Sequence, residues 1–213
     1  MTLFNKYMVS EKIKISLKSI NDELQLIENR REQLIKESRD IIILCSQSII
    51  SLHQGHIQES QLKLDKAKDL YFSLRTLAQA DLLRYLSISE QELVECSLLM
   101  SIVKNEALPG LDEIGVSSQA YLFGILDCIG EIKRMVYDMV RLNRYDQAEY
   151  LFRVMQEIYS EIYPFSIYDN IVNGIRKKLD VCKILIENTR ELITEEARRS
   201  IIIESLKKLE NNL

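Results

Sequence analysis

The sequence predicts an all-α protein built from long helices. Gly and Pro number only 6 and 2 in 213 residues, so the chain has few places to turn. Apolar residues recur at spacings of three and four over long stretches, and no strand-type alternation is sustained anywhere.

The elements follow in order. Ile13, Leu17, Ile20, Leu24 and Ile27 are spaced 4, 3, 4, 3, and Leu34, Ile41 and Cys45 continue the register. This heptad seam predicts a long first helix that packs along a partner helix. Gly55 suits a left-handed residue after its end, and His53 favours the last turn through the helix dipole. A second helix is predicted over 58–80, with Leu62, Ala67, Leu70, Tyr71, Leu74 and Leu77 turned inward. Ser89 and Glu92 have the spacing of a capping box that would start a third helix, unless one helix runs straight through. Pro109 and Gly110 stop it, and residues 109–116 are the clearest loop. Ser117 caps a helix to about Leu142. Another runs from Tyr145 to Tyr163, where Pro164 stops it. The remainder is helical from about Asp169, with a possible joint at 194–196. The whole chain, 1–213, is expected to be one domain.

Composition narrows the function. The formal net charge of −4 argues against a duplex-DNA binder with a basic outer surface, while leaving room for an enclosed basic patch. Cys45, Cys96, Cys128 and Cys182 are scattered without CxxC pairing and read as buried thiols in a reducing compartment. The first twelve residues lack a secretory signal pattern, and no apolar run is long enough to span a bilayer. The expectation is a cytoplasmic protein without a membrane partner.

Two pairs of acids carry the chemistry. Glu92 and Glu95 are three residues apart, Asp127 and Glu131 four, so each pair projects from one side of its helix. Glu92 and Glu95 share their side with Cys96, Leu99, Ile102 and Val103, the stripe expected to be buried. Carboxylates there are costly unless something cationic meets them. An Arg from another helix would make them structural; a hard divalent ion held by four converging carboxylates would make them functional. Spacing leaves both open. Asp127 and Glu131 lie on a stripe with Arg134, Asp138 and Arg141, the pattern of a solvated face laced with weak ion pairs. Against that, Gly124 and Gly130 flank Asp127 within the helix, each costing about 1 kcal/mol relative to Ala. Such glycines suit a close approach by a backbone, ligand or metal. No Glu-x-x-His, phosphate-binding loop or nucleophile elbow is present.

The ordered set of segments resembles the translin family. Arg31-Glu32 through Leu52-His53-Gln54-Gly55 resembles the family's long first helix and its His-Gln-Gly end. Gln91-Glu92-Leu93-Val94-Glu95 resembles the Gln-Glu-aromatic-Val-Glu segment of the translin-associated factor X branch. Tyr121-Leu122-Phe123-Gly124 through Asp127, then Gly130-Glu131 and Arg134, resembles the Tyr-Leu-x-Gly block and its Gly-Glu-x-x-Arg continuation. Ile175-Arg176-Lys177-Lys178-Leu179-Asp180 resembles the Leu-Arg-Lys-x-x-Asp block. The sequence departs from eukaryotic translin in Leu86 and Ile88, which replace histidines, and it lacks the long insert found before the Tyr-Leu-x-Gly block in the factor X branch.

The resemblance implies helical bundles assembled into closed, octameric shells that bind single-stranded RNA or DNA. It implies a metal-dependent endoribonuclease site in which Glu92, Glu95 and Asp127 match the acids and Glu131 an adjacent one. The expected function is therefore a homo-oligomeric endoribonuclease for single-stranded RNA, dependent on Mg²⁺ or Mn²⁺. Glu92, Glu95 and Asp127 would be metal ligands; Glu131 would be a fourth or would hold the attacking water. Arg84, Lys133, Arg134 and Arg141 are candidates for phosphate contacts, Arg84 alone through the resemblance. The alternatives are a non-catalytic shell for single-stranded nucleic acid, and a helical scaffold whose acids are ion-paired.

Overall fold

The protein is described from a computed structural model that covers residues 11–78 and 80–210. Seven α-helices follow one another among these residues: α1 (Glu11–His53), α2 (Ile57–Leu77), α3 (Ser87–Lys104), the short α4 (Leu111–Ile114), α5 (Ser118–Arg141), α6 (Tyr145–Ile162) and α7 (Ile175–Glu210). Two 3₁₀ segments, Ala80–Leu86 and Tyr163–Tyr168, lead out of α2 and α6, and there is no strand among the described residues. The all-α expectation is met.

Three of the sharp reversals share one chemistry. Gly55, Asn105 and Asn143 follow α1, α3 and α5 with φ of 79°, 56° and 58°. In each, the next amide donates back to a carbonyl five residues earlier: His56 to Ser51 (2.8 Å), Glu106 to Ser101 (2.9 Å) and Arg144 to Met139 (2.8 Å). This left-handed cap satisfies carbonyls that the helix end would leave open. Gly adopts it at no steric cost, and Asn is the next most tolerant residue.

The returning helices pack pairwise, α1 on α2 and α3, α5 on α3, α6 and α7, and α6 on α7. Ser48 and Ser60 let α1 and α2 approach closely: each hydroxyl donates to the other residue's carbonyl at 2.8 Å, and both are fully buried. A second close approach joins α3 and α5. A Cβ added at Gly124 would lie 2.6 Å from both the Gln91 carbonyl oxygen and Val94 Cβ. The glycine is therefore what allows the two backbones to touch. One core runs through the bundle, from Leu34, Ile41 and Cys45 on α1 through Leu93, Cys96 and Leu99 to Ile129, Ile132 and Val136.

Several expectations need correction. The seam of α1 divides at its middle: Leu34, Ile41 and Cys45 are fully buried, but Ile13, Leu17, Ile20 and Leu24 are 49–59% exposed. The packing of α1 into the core begins only at Ile27, and Leu17, Ile20 and Leu24 before it stay largely exposed among the described residues. Leu62 is 63% exposed, because the inward face of α2 is Leu64, Ala67, Tyr71 and Leu74. The Ser89–Glu92 capping box does not form. α3 already starts at Ser87, and Ser89 donates instead to the Leu86 carbonyl (2.8 Å). Nor does one helix run straight through, since α2 ends at Leu77. α7 begins at Ile175 rather than near Asp169 and has no joint at 194–196. The loop 109–116 contains α4, and Ser117 caps α5 by accepting from the Ala120 amide.

The contact at Gly124 predicts that Gly124→Ala destabilises the protein by about 2 kcal/mol or more, because one of the obstructing atoms is backbone and cannot rotate away. Gly130, on the same helix, has no atom within 4 Å of an added Cβ. Gly130→Ala should be neutral or stabilising by up to about 1 kcal/mol. Urea unfolding of the two variants beside wild type measures the difference.

Candidate functional site

The α3–α5 contact brings the two acid pairs together. Gln91 and Val94, the residues at Gly124, alternate with Glu92 and Glu95 on α3; Asp127 and Glu131 stand three and seven residues past Gly124 on α5. The four carboxylates act on one another electrostatically. Burial first, then Glu92, Asp127 and Glu131, push the Glu95 carboxyl up to about 8. Burial, then Asp127, also raises Glu92, with Lys178 acting in the opposite sense.

The second pair has partners from other helices. Lys178 of α7 donates to Asp127 Oδ2 at 2.5 Å and lies 5.0 Å from the centre of the Phe123 ring. His53, at the end of α1 and 6% exposed, has Nε2 2.5 Å from Glu131 Oε2 and Nδ1 3.9 Å from Asp138. That contact, with Arg134 at 3.7 Å, holds Glu131 below the usual carboxylate range. The stripe through Asp127 is thus not merely a solvated face, and His53 does more than terminate a helix. Sequence spacing could not signal either base: His53 lies 78 residues from Glu131 and Lys178 lies 51 from Asp127.

Glu92 and Glu95 have no hydrogen bond or ion pair among the described residues, so the Arg that would make them structural is missing there. The structural acid of α3 is Glu90, which the sequence reading passed over. It is 4% exposed and accepts from the Tyr71 hydroxyl (2.7 Å), the Ser117 amide (3.2 Å) and the Ser117 hydroxyl (2.6 Å). Three donors compensate a buried carboxylate. Nothing comparable compensates Glu95.

The donor set suits a hard divalent cation by chemistry: four carboxylates, two of them without a hydrogen bond or ion pair among the described residues. It is not gathered into a cage. Among the described residues, no three His, Cys, Asp or Glu side chains are grouped closely enough to hold a metal ion. The physical reason is visible in the pairing, since Asp127 is turned to Lys178 and Glu131 to His53.

The four basic candidates do not share one contact. Arg84, in the 3₁₀ segment after α2, lies 5.0 Å from the Tyr85 ring centre, with Arg31 of α1 at 5.9 Å from the same ring. Lys133 lies over Tyr137, Arg134 reaches Glu131, and Arg141 donates to Asp138 at 3.1 Å. The cysteines are free and buried, as expected. No helix of the described residues is long and apolar enough to cross a membrane.

The raised Glu95 fixes a pH dependence. With a folded value near 8 against an ordinary 4.5, its carboxyl costs nothing below pH 4.5, destabilises increasingly as the pH rises, and reaches its full cost above about 8. Glu95→Gln removes this cost. In chelator, its melting temperature should match wild type near pH 5 and exceed it by several degrees at pH 8. Melting curves at both pH values test this; a variant less stable at pH 8 would mean that Glu95 has a cationic partner.

The Translin family model matches residues 29–189. An uncharacterised protein of Methanocaldococcus jannaschii is 26% identical over 93% of this chain and 92% of its own. Translin-associated protein X of Pongo abelii is 23% identical over 70% of this chain and 67% of its own. Among solved structures, AfC3PO superposes with a TM-score of 0.82 at 27% identity, over 87% of this chain and 99% of that one. The AfC3PO–duplex RNA complex gives 0.80 at 27%, over 87% and 98%. Apo-NeC3PO gives 0.76 at 22%, over 88% and 97%, and bears on the fold alone. The match spans both acid pairs, His53 and Lys178, and the chain belongs to the translin family.

Proposed function

We propose that the protein is a metal-dependent endoribonuclease that acts on single-stranded RNA within a homo-oligomeric shell. One observation carries the reading: Glu95 is coupled to three other carboxylates, and among the described residues neither a cation nor a hydrogen-bond donor compensates it. A fold tolerates that cost where a cation is supplied from outside. The family, and a 27%-identical neighbour solved with duplex RNA, support RNA as the ligand class.

Glu92, Glu95, Asp127 and Glu131 would hold Mg²⁺ or Mn²⁺. When bound, such an ion supplies a nucleophilic water at neutral pH and neutralises charge developing on the phosphoryl oxygens. The chain's own groups do the rest. Lys178, released from Asp127, is free to pair with a phosphate oxygen. His53 orients Glu131 through Oε2, leaving Oε1 to accept a hydrogen from the attacking water. Water oxygen bonds to phosphorus, one ester P–O bond breaks, and the leaving oxygen takes up a proton. Lys133 and Arg134, six and seven residues past Asp127, are the nearest further bases on α5 for the strand. Arg84, Tyr85 and Arg31 form a separate stacking platform of cation and ring.

Cleavage rather than binding is assigned the single-strand preference, because the neighbouring AfC3PO was solved with duplex RNA. Labelled single-stranded and duplex RNA, incubated with Mg²⁺, Mn²⁺ or chelator, test the reading. Single strands should be cut in a metal-dependent way, duplex at least about tenfold more slowly, and Glu95→Gln should lose 10²-fold or more of the rate, the order expected for loss of transition-state charge stabilisation. Cleavage unaffected by chelator or by Glu95→Gln removes the acid cluster from the mechanism.

The exposed Leu17, Ile20 and Leu24 on α1, together with Ile201, Ile202, Ile203 and Leu206 on α7, about half exposed or more, support assembly. An octamer of this 24.9 kDa chain would weigh roughly 200 kDa, in keeping with closed symmetric assembly. Light scattering should find that mass, and Leu17→Lys with Leu24→Lys should lower it. A monodisperse wild-type monomer would exclude the shell.

A further inference from the structure

Gly130 lacks the reason that Gly124 has. It sits in the interior of α5, where glycine costs about 1 kcal/mol relative to alanine. Nothing lies within 4 Å of where its Cβ would be. Neither packing nor a left-handed φ calls for a glycine there. The space it leaves open is a cleft of about 440 Å³ between α5 and α7, within the range of roughly 300–1,000 Å³ typical of small-ligand pockets. Gly174, at the entry to α7, faces the same cleft and also has no atom within 4 Å of an added Cβ.

The lining has two characters. Leu126, Val181 and Leu185 make apolar walls, and Val181 is 50% exposed there. Lys177 and Lys178 add positive charge, and Asp127, a member of the acid cluster, closes one side. A ligand that fills the cleft therefore needs flat or apolar faces, an anionic group for the lysines, and a reason to lie beside Asp127. A nucleotide unit of a single strand has all three: a base with apolar faces, a phosphate, and a neighbouring phosphodiester.

We propose that this α5–α7 cleft receives the base of the nucleotide flanking the phosphodiester at the acid cluster, with Gly130 and Gly174 providing the room and Lys177 meeting the adjoining phosphate. The proposal rests on the RNA reading above and adds a positioning site to it. It gives a physical basis for the single-strand preference: a base must leave its stack to enter, which costs a few kcal/mol in a duplex and far less in a single strand. Recognition through apolar faces would be tolerant of base identity.

The test is binding in chelator, by fluorescence anisotropy, with the full-length assembled protein. The probes are a labelled single-stranded RNA and a fully abasic ribose-phosphate strand of equal length. Gly130→Leu fills the cleft. It should raise the Kd for RNA roughly tenfold, the order of one base contact, and leave the Kd for the abasic strand unchanged. Gly130→Ala, which should fold at least as well as wild type, is the control for misfolding and should raise the RNA Kd about threefold. Lys177→Ala should weaken both strands alike and reduce the salt dependence of binding. RNA bound equally by wild type and both Gly130 variants overturns the proposal, as does an equal loss for RNA and abasic strand in either Gly130 variant. A changed particle mass with RNA binding intact assigns the cleft to a subunit contact and also overturns it. Wild type that does not bind RNA removes both the pocket and the RNA reading; wild type that binds as expected but does not cleave with Mg²⁺ ends the nuclease reading and leaves the pocket standing.

Discussion

The contact between α3 and α5 at Gly124 is the constraint on which the site depends. With no Cβ in the way, the α5 backbone rests on the Gln91 carbonyl and Val94. The residues beside that contact are Glu92 and Glu95 on one helix and Asp127 and Glu131 on the other. Interhelical distances are ordinarily 8–10 Å, set by the side chains at the crossing. A side chain at 124 would separate the helices and loosen the coupling among the acids. The glycine is thus a structural residue whose effect is electrostatic.

The acids of α3 divide by how they are compensated. Glu90 is buried and stabilised by Tyr71 and Ser117, which tie α2 and the cap of α5 to α3. Glu95 has the opposite environment, and its carboxyl responds by holding its proton to about pH 8. On α5 the like charges are relieved differently, by Lys178 from α7 and His53 from α1. Four helices, α1, α3, α5 and α7, therefore contribute groups to it. Between Asp127 and α7 the surface falls away into the cleft that Gly130 leaves open. The acids, their two bases and a cavity beside them make one continuous region rather than separate features.

The exposed half of α1 and the apolar end of α7 have a different meaning from the buried core. A heptad seam specifies packing against another helix, and the second half of α1 finds it within the chain, against α2 and α3. In the first half, Leu17, Ile20 and Leu24 stay largely exposed among the described residues. Contiguous apolar surface of this kind marks an interaction site in a folded protein. The same seam thus serves the fold at one end and leaves surface for assembly at the other.

By itself the sequence determined the helical class, the order of the elements and the two acid pairs. Those features are local: scarce glycine and proline, apolar spacing of three and four, Ser117 as a cap and Gly55 as a stop, and carboxylates three and four apart. Pattern also singled out Gly124 and Gly130, though not their different roles, because a glycine that admits a backbone and one that borders a cleft look alike in sequence. Only the tertiary structure decided which acids have partners. Glu90 meets Tyr71 and Ser117, Asp127 meets Lys178 and Glu131 meets His53 across separations of 19 to 78 residues, which no periodicity encodes. It also decided which half of the α1 seam is covered. Periodicity states that a face will be buried; whether the burying surface lies in the same chain depends on how far the returning helices extend, and that is a property of the folded bundle.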